Sequence, residues 1–555
     1  MAKFGAILFQ ILAPLQLALM LFLSATQCAS NVAVEKDRQT IILLLMTRLT
    51  NSELVLGKLL ASLLSIAVML LTALPIFMLV VCFGGVSFAQ VGWAFAVTGI
   101  TALVAGSLGS TIALWREKTF QTLALLALSI FFWIGLFEGI GLAGLEFFGL
   151  SGESISRAAS PIRAIIATCS PTIDQNWTSE ILPYLSVFGG LALLLNGVAV
   201  WKVRKWNPSR DVRVGHQVGE EEETQGIFST DLEKRAIEAE KLRSQHVDAR
   251  ETKNASKSRR VWDNPILWRE ACTWAYGRKI VLIRVAYWVL AGLIAFSLFS
   301  LVNSEQLMAA GGSNISVPPA AKILGPFMLV SIVMINALSV TSITNERDGR
   351  SLDLLLVTDL SPREFLFGKL GGIMIITADL ILLPIAMSAW LWWANIVSLE
   401  NLVYIIGGLI VMNIFVAVLG LHCGINYSNS RQAIGVSLGT VFFLFLGVVT
   451  CMVMLVSFTG NVEAQFTPFL AFIVGGAVGL YVVLGSRNRS AALALATAIL
   501  PLAMFFSITS LLLGRYLSVF LVMAFTYGFT TTAMIMPALG EFNIAMGRSK
   551  AAGDE

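Results

Sequence analysis

The stretch Glu35–Leu59, EKDRQTIILLLMTRLTNSELVLGKL, returns without a gap as Glu346–Leu370, ERDGRSLDLLLVTDLSPREFLFGKL. The identical positions are Glu35/Glu346, Asp37/Asp348, Leu43–Leu45/Leu354–Leu356, Thr47/Thr358, Leu49/Leu360, Glu53/Glu364, Gly57/Gly368, Lys58/Lys369 and Leu59/Leu370. Charges, a leucine triplet and a Gly-Lys pair held in register over that length mark an internal duplication. Both copies interrupt an otherwise apolar chain, so the repeated element is expected to meet something outside the membrane.

Around the repeat the composition is that of a polytopic membrane protein. Mean hydropathy is +0.79, with 56% hydrophobic and 13% charged residues, against about 25% charged in soluble domains. Crossing the hydrocarbon core takes about 20 apolar residues, and about thirteen stretches offer that length. They fall at 5–26, 59–83, 91–114, 119–149 and 181–201, then at 280–302, 322–344, 369–394, 402–424, 433–457, 467–485, 491–513 and 516–540. Lipid offers the backbone no partner, and barrel strands would be shorter and alternating, so the spans are predicted as helices. The fold class is therefore an all-α polytopic membrane protein built from two tandem helical bundles in parallel duplication.

Residues 1–201 form the first unit, 202–262 a charged linker, 263–485 the second unit, and 486–555 two additional membrane helices with a short tail. The linker, with its acidic run Glu220–Glu223, is too polar to bury a core. Lys202, Arg204, Lys205, Arg210, Arg259 and Arg260 place it in the cytoplasm. Counting outward, both repeated loops, Arg116–Lys118, Arg431, Arg487, Arg489 and the C-terminal Arg548 and Lys550 share that side of the cell (inner) membrane. Loops 84–90, 303–321 and 458–466 are poor in Lys and Arg and face the other way.

Two spans and the interfacial stretch DNPILWREACTWAYGRK (Asp263–Lys279) precede the second copy, whereas one span precedes the first. The first unit is expected to lack a helix and its leader. The last two spans have no counterpart in the first unit.

Within each copy, Thr50 with Glu53 has capping-box spacing, and Ser361-Pro362 followed by Glu364 reads as a helix start. Short amphipathic helices are predicted over 36–47 and 347–358 along the cytoplasmic face, with Lys58 and Lys369 snorkelling to the interface. An interfacial anchor would need apolar and basic residues, but no acidic pair at Glu-x-Asp in both copies.

The pattern E-x-D-x-x-[TS]-x-x-LLL-x-T-x-L-[ST]-x-x-E-x-x-x-GK resembles the cytoplasmic loop of ABC-2 type transporter permeases. Leu74-Pro75-Ile76 and Leu383-Pro384-Ile385 in the following helices, and the NPILWRE stretch, add to the resemblance. It implies a permease subunit, an exporter, whose loops hold coupling helices that dock a separate ABC ATPase, in two copies. The implied coupling residues are Glu35, Asp37, Thr47, Glu53 and Lys58, with Glu346, Asp348, Thr358, Glu364 and Lys369. ATP would be bound by that partner and no cofactor by this chain. Lipid is the other expected partner, and nucleic acid is not one.

The chain is not read as an enzyme. A Gly-rich phosphate loop ending in Gly-Lys-[Ser/Thr] is absent, since Gly57-Lys58 and Gly368-Lys369 are each followed by Leu. The six cysteines show no paired spacing and read as packing, and the three histidines are too sparse for a metal-driven mechanism. Asp379 and Glu138 fall inside spans and are candidates for a translocation path. The rival reading is a secondary transporter built on a parallel internal repeat. It predicts several buried acids at matching places in both halves, whereas the motif counterpart of Asp379 is Val68. A membrane scaffold or embedded enzyme would need a polar catalytic cluster, which the sequence does not display.

Overall fold

The computed structural model describes residues 2–38, 40–143, 151–169, 177–207, 262–272, 280–303, 319–349, 351–356, 360–457, 470, 473–485 and 490–545. Its elements are helices throughout. The first half holds α1 (Ala2–Asp37), α2 (Thr40–Met46), α3 (Asn51–Thr72), α4 (Leu74–Cys82), α5 (Phe88–Trp115), α6 (Thr119–Ala143), α7 (Gly152–Ala159), α8 (Pro161–Cys169) and α9 (Trp177–Trp206). The second holds α10 (Pro265–Cys272), α11 (Ile280–Asn303), α12 (Pro319–Asp348), α13 (Ser351–Leu356), α14 (Pro362–Ile376), α15 (Ala378–Trp393), α16 (Leu399–Asn426) and α17 (Ser430–Ser457). The apolar helix α18 (Ile473–Gly485), then α19 (Ala491–Leu512) and α20 (Tyr516–Ala545), complete it.

Among the described residues eleven helices are long and apolar enough to cross a membrane, and the pair α14–α15, bent by 54°, makes a twelfth. The thirteenth expected span, 467–485, is described mainly as the shorter α18. Local sequence explains most helix starts. Thr50 with Glu53, Ser87 with Gln90, and Ser361 with Glu364 each form a complete capping box, satisfying backbone donors that would otherwise be orphaned.

The short loop helices differ from expectation. They cover only 40–46 and 351–356, and the acidic start of each copy belongs to the long helix before it. Long-range ties hold those final turns helical, as described below.

Helix boundaries recur at the spacing of the repeated loops. α5 and α16 are each 28 residues long and start and end 311 positions apart, as do the ends of α1 and α12 and the starts of α6 and α17. α5 packs on α1 through Gly109, where a Cβ would lie 2.5 Å from the Ala25 carbonyl oxygen. α16 packs on α12 through the matching Gly420, where a Cβ would lie 2.6 Å from that of Ser339. Contacts between the halves are exchanged: α6 packs on α12, and α17 on α1, where Phe22 stacks on Phe442 at 4.3 Å.

α9 lies along α5, with the Tyr184 hydroxyl 2.7 Å from Thr101 Oγ1 and Thr111 facing the Leu195 carbonyl. α20, also 30 residues long, lies along α16, with Tyr527 edge-on to Phe415 and the backbone of Met534 hydrogen-bonded to His422. The last helix thus has a packing counterpart in α9, which sequence alone did not give it. The additional elements are α18 and α19.

Candidate functional site

The two loops meet at one end of the bundle. Arg38 of the first donates to Asp348 of the second at 3.0 Å, and Arg431, at the start of α17, reaches Glu35 at 3.2 Å. Loops on opposite membrane faces could not make these contacts, so the repeat is parallel in space. The end of α9 lies on the same face, because Arg204 donates to Asn51 Oδ1 at 2.7 Å and to the Leu49 carbonyl.

Each repeated residue type has a defined task. The glutamate closes an ion pair with the lysine 23 positions later, Glu35 with Lys58 and Glu346 with Lys369. The base after it caps another helix. Lys36 donates to the Leu114 carbonyl at 2.7 Å, at the C-terminus of α5, and Arg347 to Gly424 at 2.9 Å, at that of α16. Both meet unpaired carbonyls at the negative end of a helix dipole. The hydroxyls of Thr40 and Ser351 donate to the carbonyls of Glu35 and Glu346, turning the chain out of α1 and α12. Glu53 and Glu364 serve the capping boxes.

The aspartates diverge. Asp37 accepts from Thr119 at the start of α6, whereas Asp348 takes Arg38. Residues two apart on a helix point about 200° from one another, which is why Glu35 and Asp37 reach different partners. Thr47 folds back on the Leu44 carbonyl at 2.6 Å. Thr358 lies outside the described residues.

The lysines are not equivalent. Lys58 keeps 20% of its side chain exposed, but Lys369 keeps 1% and does not snorkel. It lies under α10, where its ammonium sits 2.6 Å from Glu270 and 2.7 Å from Glu346. Arg269 adds a second cation, paired with Glu346 and 3.1 Å from Glu270. Burial would lower the Arg269 pKa, but the charge of Glu346 and then Glu270 outweighs it and holds the guanidinium above its ordinary value. α10 comes this close because Gly368, Gly371 and Gly372 present backbone to it. A Cβ at Gly372 would lie 2.4 Å from that of Glu270.

Sequence reasoning missed Arg269, Glu270 and the role of Arg431. Its one available signal was the glycine cluster after Lys369, which marks close approach of another backbone.

The intramembrane candidates are both ion-paired. Asp379 lies 3.6 Å from Arg284, beside the Thr377 break between α14 and α15, and lines a small cavity with Tyr287 and Met334. Glu138 binds Ser160 and, at 3.2 Å, Arg163, tying α6 to α8. They hold different places in the two halves and do not meet. Among the described residues no group of three His, Cys, Asp or Glu side chains could hold a metal ion.

What remains outward on the described part of the loops is apolar. Leu43, Met46 and Leu49 are exposed beyond the charged ring, beside exposed Arg48. Such an arrangement can seat the tip in a groove while the charges fix the loop to the bundle. Compared with family models, curated proteins and solved structures, the chain matches none.

Proposed function

We propose that the chain is the membrane-spanning permease subunit of an ATP-driven exporter of ABC-2 type, in the cell membrane, whose two loops face the cytoplasm and dock a separate ATPase. The observation that carries this reading is the pairing of both loops on one face, each joined rigidly to a membrane helix by a Glu-Lys pair and a capping box. A push on the tip would pass through α2 into α3, and through α13 into α14. The acids pair within the chain, so the docking surface assigned here is the apolar tip, with the charged residues holding it in place. The separate arginine pairs of Asp379 and Glu138 favour this reading over a secondary transporter, which would want acids at matching positions.

The test is co-purification with an ATPase encoded beside this gene. Leu43→Glu with Met46→Glu is expected to release the ATPase while the chain still inserts and folds. Retention of the ATPase and of transport in that variant would remove the coupling role from the loop.

A further inference from the structure

We propose that the face of α3 formed by Gly57, Leu60, Ala61 and Leu64 is a docking site for a separate membrane polypeptide, which lays a short amphipathic helix with an inward-facing carboxylate across it. The proposal does not depend on the ATPase reading. It rests on a comparison that the chain makes within itself.

At the repeat spacing, these four residues match Gly368, Gly371, Gly372 and Ile375 of α14. There α10 covers the stripe. Cβ atoms at Gly368 and Gly371 would lie 2.7 Å from Asn264 Oδ1 and 3.0 Å from Leu267 Cδ1, and Gly372 faces Glu270. On α3 nothing lies within 4 Å of a Cβ at Gly57, and Leu60, Ala61 and Leu64 are exposed. The same surface is covered in one half and bare in the other.

Charge gives the second, independent argument. In the second half two carboxylates, Glu270 and Glu346, face two cations, Lys369 and Arg269. In the first half Glu35 alone faces Lys58 and Arg431. This cluster is one carboxylate short, and the absent one corresponds to Glu270. α10 therefore describes the occupant: a side-chain cap like Asn264, apolar residues like Ile266 and Leu267, then an acid placed like Glu270. Acyl chains could cover the leucines but would leave the excess positive charge unmatched.

The test supplies α10 and α11 in trans. Residues 262–303 carrying Leu267→Cys are co-expressed with the full chain carrying Gly57→Cys, both otherwise free of cysteine. A disulfide between the two is expected, cut at least tenfold by Glu270→Lys in the probe and restored by Lys58→Glu in the chain. Gly368→Cys reports separately on exchange with the chain's own α10. If Lys58→Glu does not insert, loss of the cross-link on Glu270→Gln in the probe carries the same test. In cell membranes, a photo-crosslinker at Leu60 should give a polypeptide adduct that the probe displaces. A disulfide insensitive to these charge changes, or adducts with lipid alone, would overturn the proposal.

Discussion

Arg38 donates to Asp348 across 3.0 Å, joining two copies of one motif through residues 310 positions apart. Arg38 is 46% exposed in its side chain and Asp348 only 5%. The pair is lopsided: loss of the arginine strands a buried carboxylate, whereas loss of both strands nothing. Arg38→Ala is expected to destabilise by about 1–3 kcal/mol, reduced toward the lower end by solvent around the guanidinium. The double variant Arg38→Ala/Asp348→Ala should be more stable than Arg38→Ala alone. Thermal unfolding in detergent checks the order.

The Glu-Lys pairs offer a comparison of one interaction in two settings. Lys369→Met leaves Glu270 and Glu346 together without their ammonium and is expected to cost about 3–5 kcal/mol, the penalty for breaking a buried pair. Lys58→Met should cost about 1 kcal/mol or less, because the pair is partly solvated. Equal losses in an unfolding assay would contradict the burial difference.

Gly368→Ala drives a Cβ to 2.7 Å from Asn264, whereas Gly57→Ala meets open space. The first is expected to lift α10 and make trypsin cut at Arg269 faster. The second should be neutral or stabilise by up to about 1 kcal/mol in the purified chain, through helix propensity. Limited proteolysis and thermal shift together distinguish the two.

Burial pushes the Cys169 thiol up to about 11, opposed only weakly by its Thr168 contact. The thiolate is the reactive form, and an ordinary thiol ionises near about 8.5. In the folded chain alkylation of Cys169 should therefore keep rising about tenfold per pH unit between about 8 and 10. In the unfolded chain it should level off above about 9. Mass spectrometry of iodoacetamide-treated protein reads both profiles.

The parts of this architecture legible in sequence are those fixed by local spacing. Thr50 with Glu53 and Ser361 with Glu364 lie three residues apart, so their capping boxes follow from the order of residues. The parallel arrangement followed from charge and span counting, and Arg38–Asp348 agrees with it. The parts missed are non-local. Glu35 and Glu346 sit on α1 and α12, whose last turns Lys36 and Arg347 tie to helix ends about eighty residues away. Lys369 looked like a snorkelling residue because nothing in its own helix announces that Glu270, 99 positions earlier, lies over it. The bend in α14–α15 falls at Thr377, seven residues before the Pro384 that sequence offers as the breaker.

The exchange of α6 and α17 sets the order of biogenesis. When the first half leaves the ribosome, Phe22 and Phe120 have not met the aromatic and aliphatic partners that the second half supplies. Insertion of α1 through α9 therefore yields an intermediate with two unfilled seams, closed only when α12 and α17 arrive. A stalled or shortened translation product would present those seams to membrane quality control, and severed halves would have to find each other in the bilayer before either was complete.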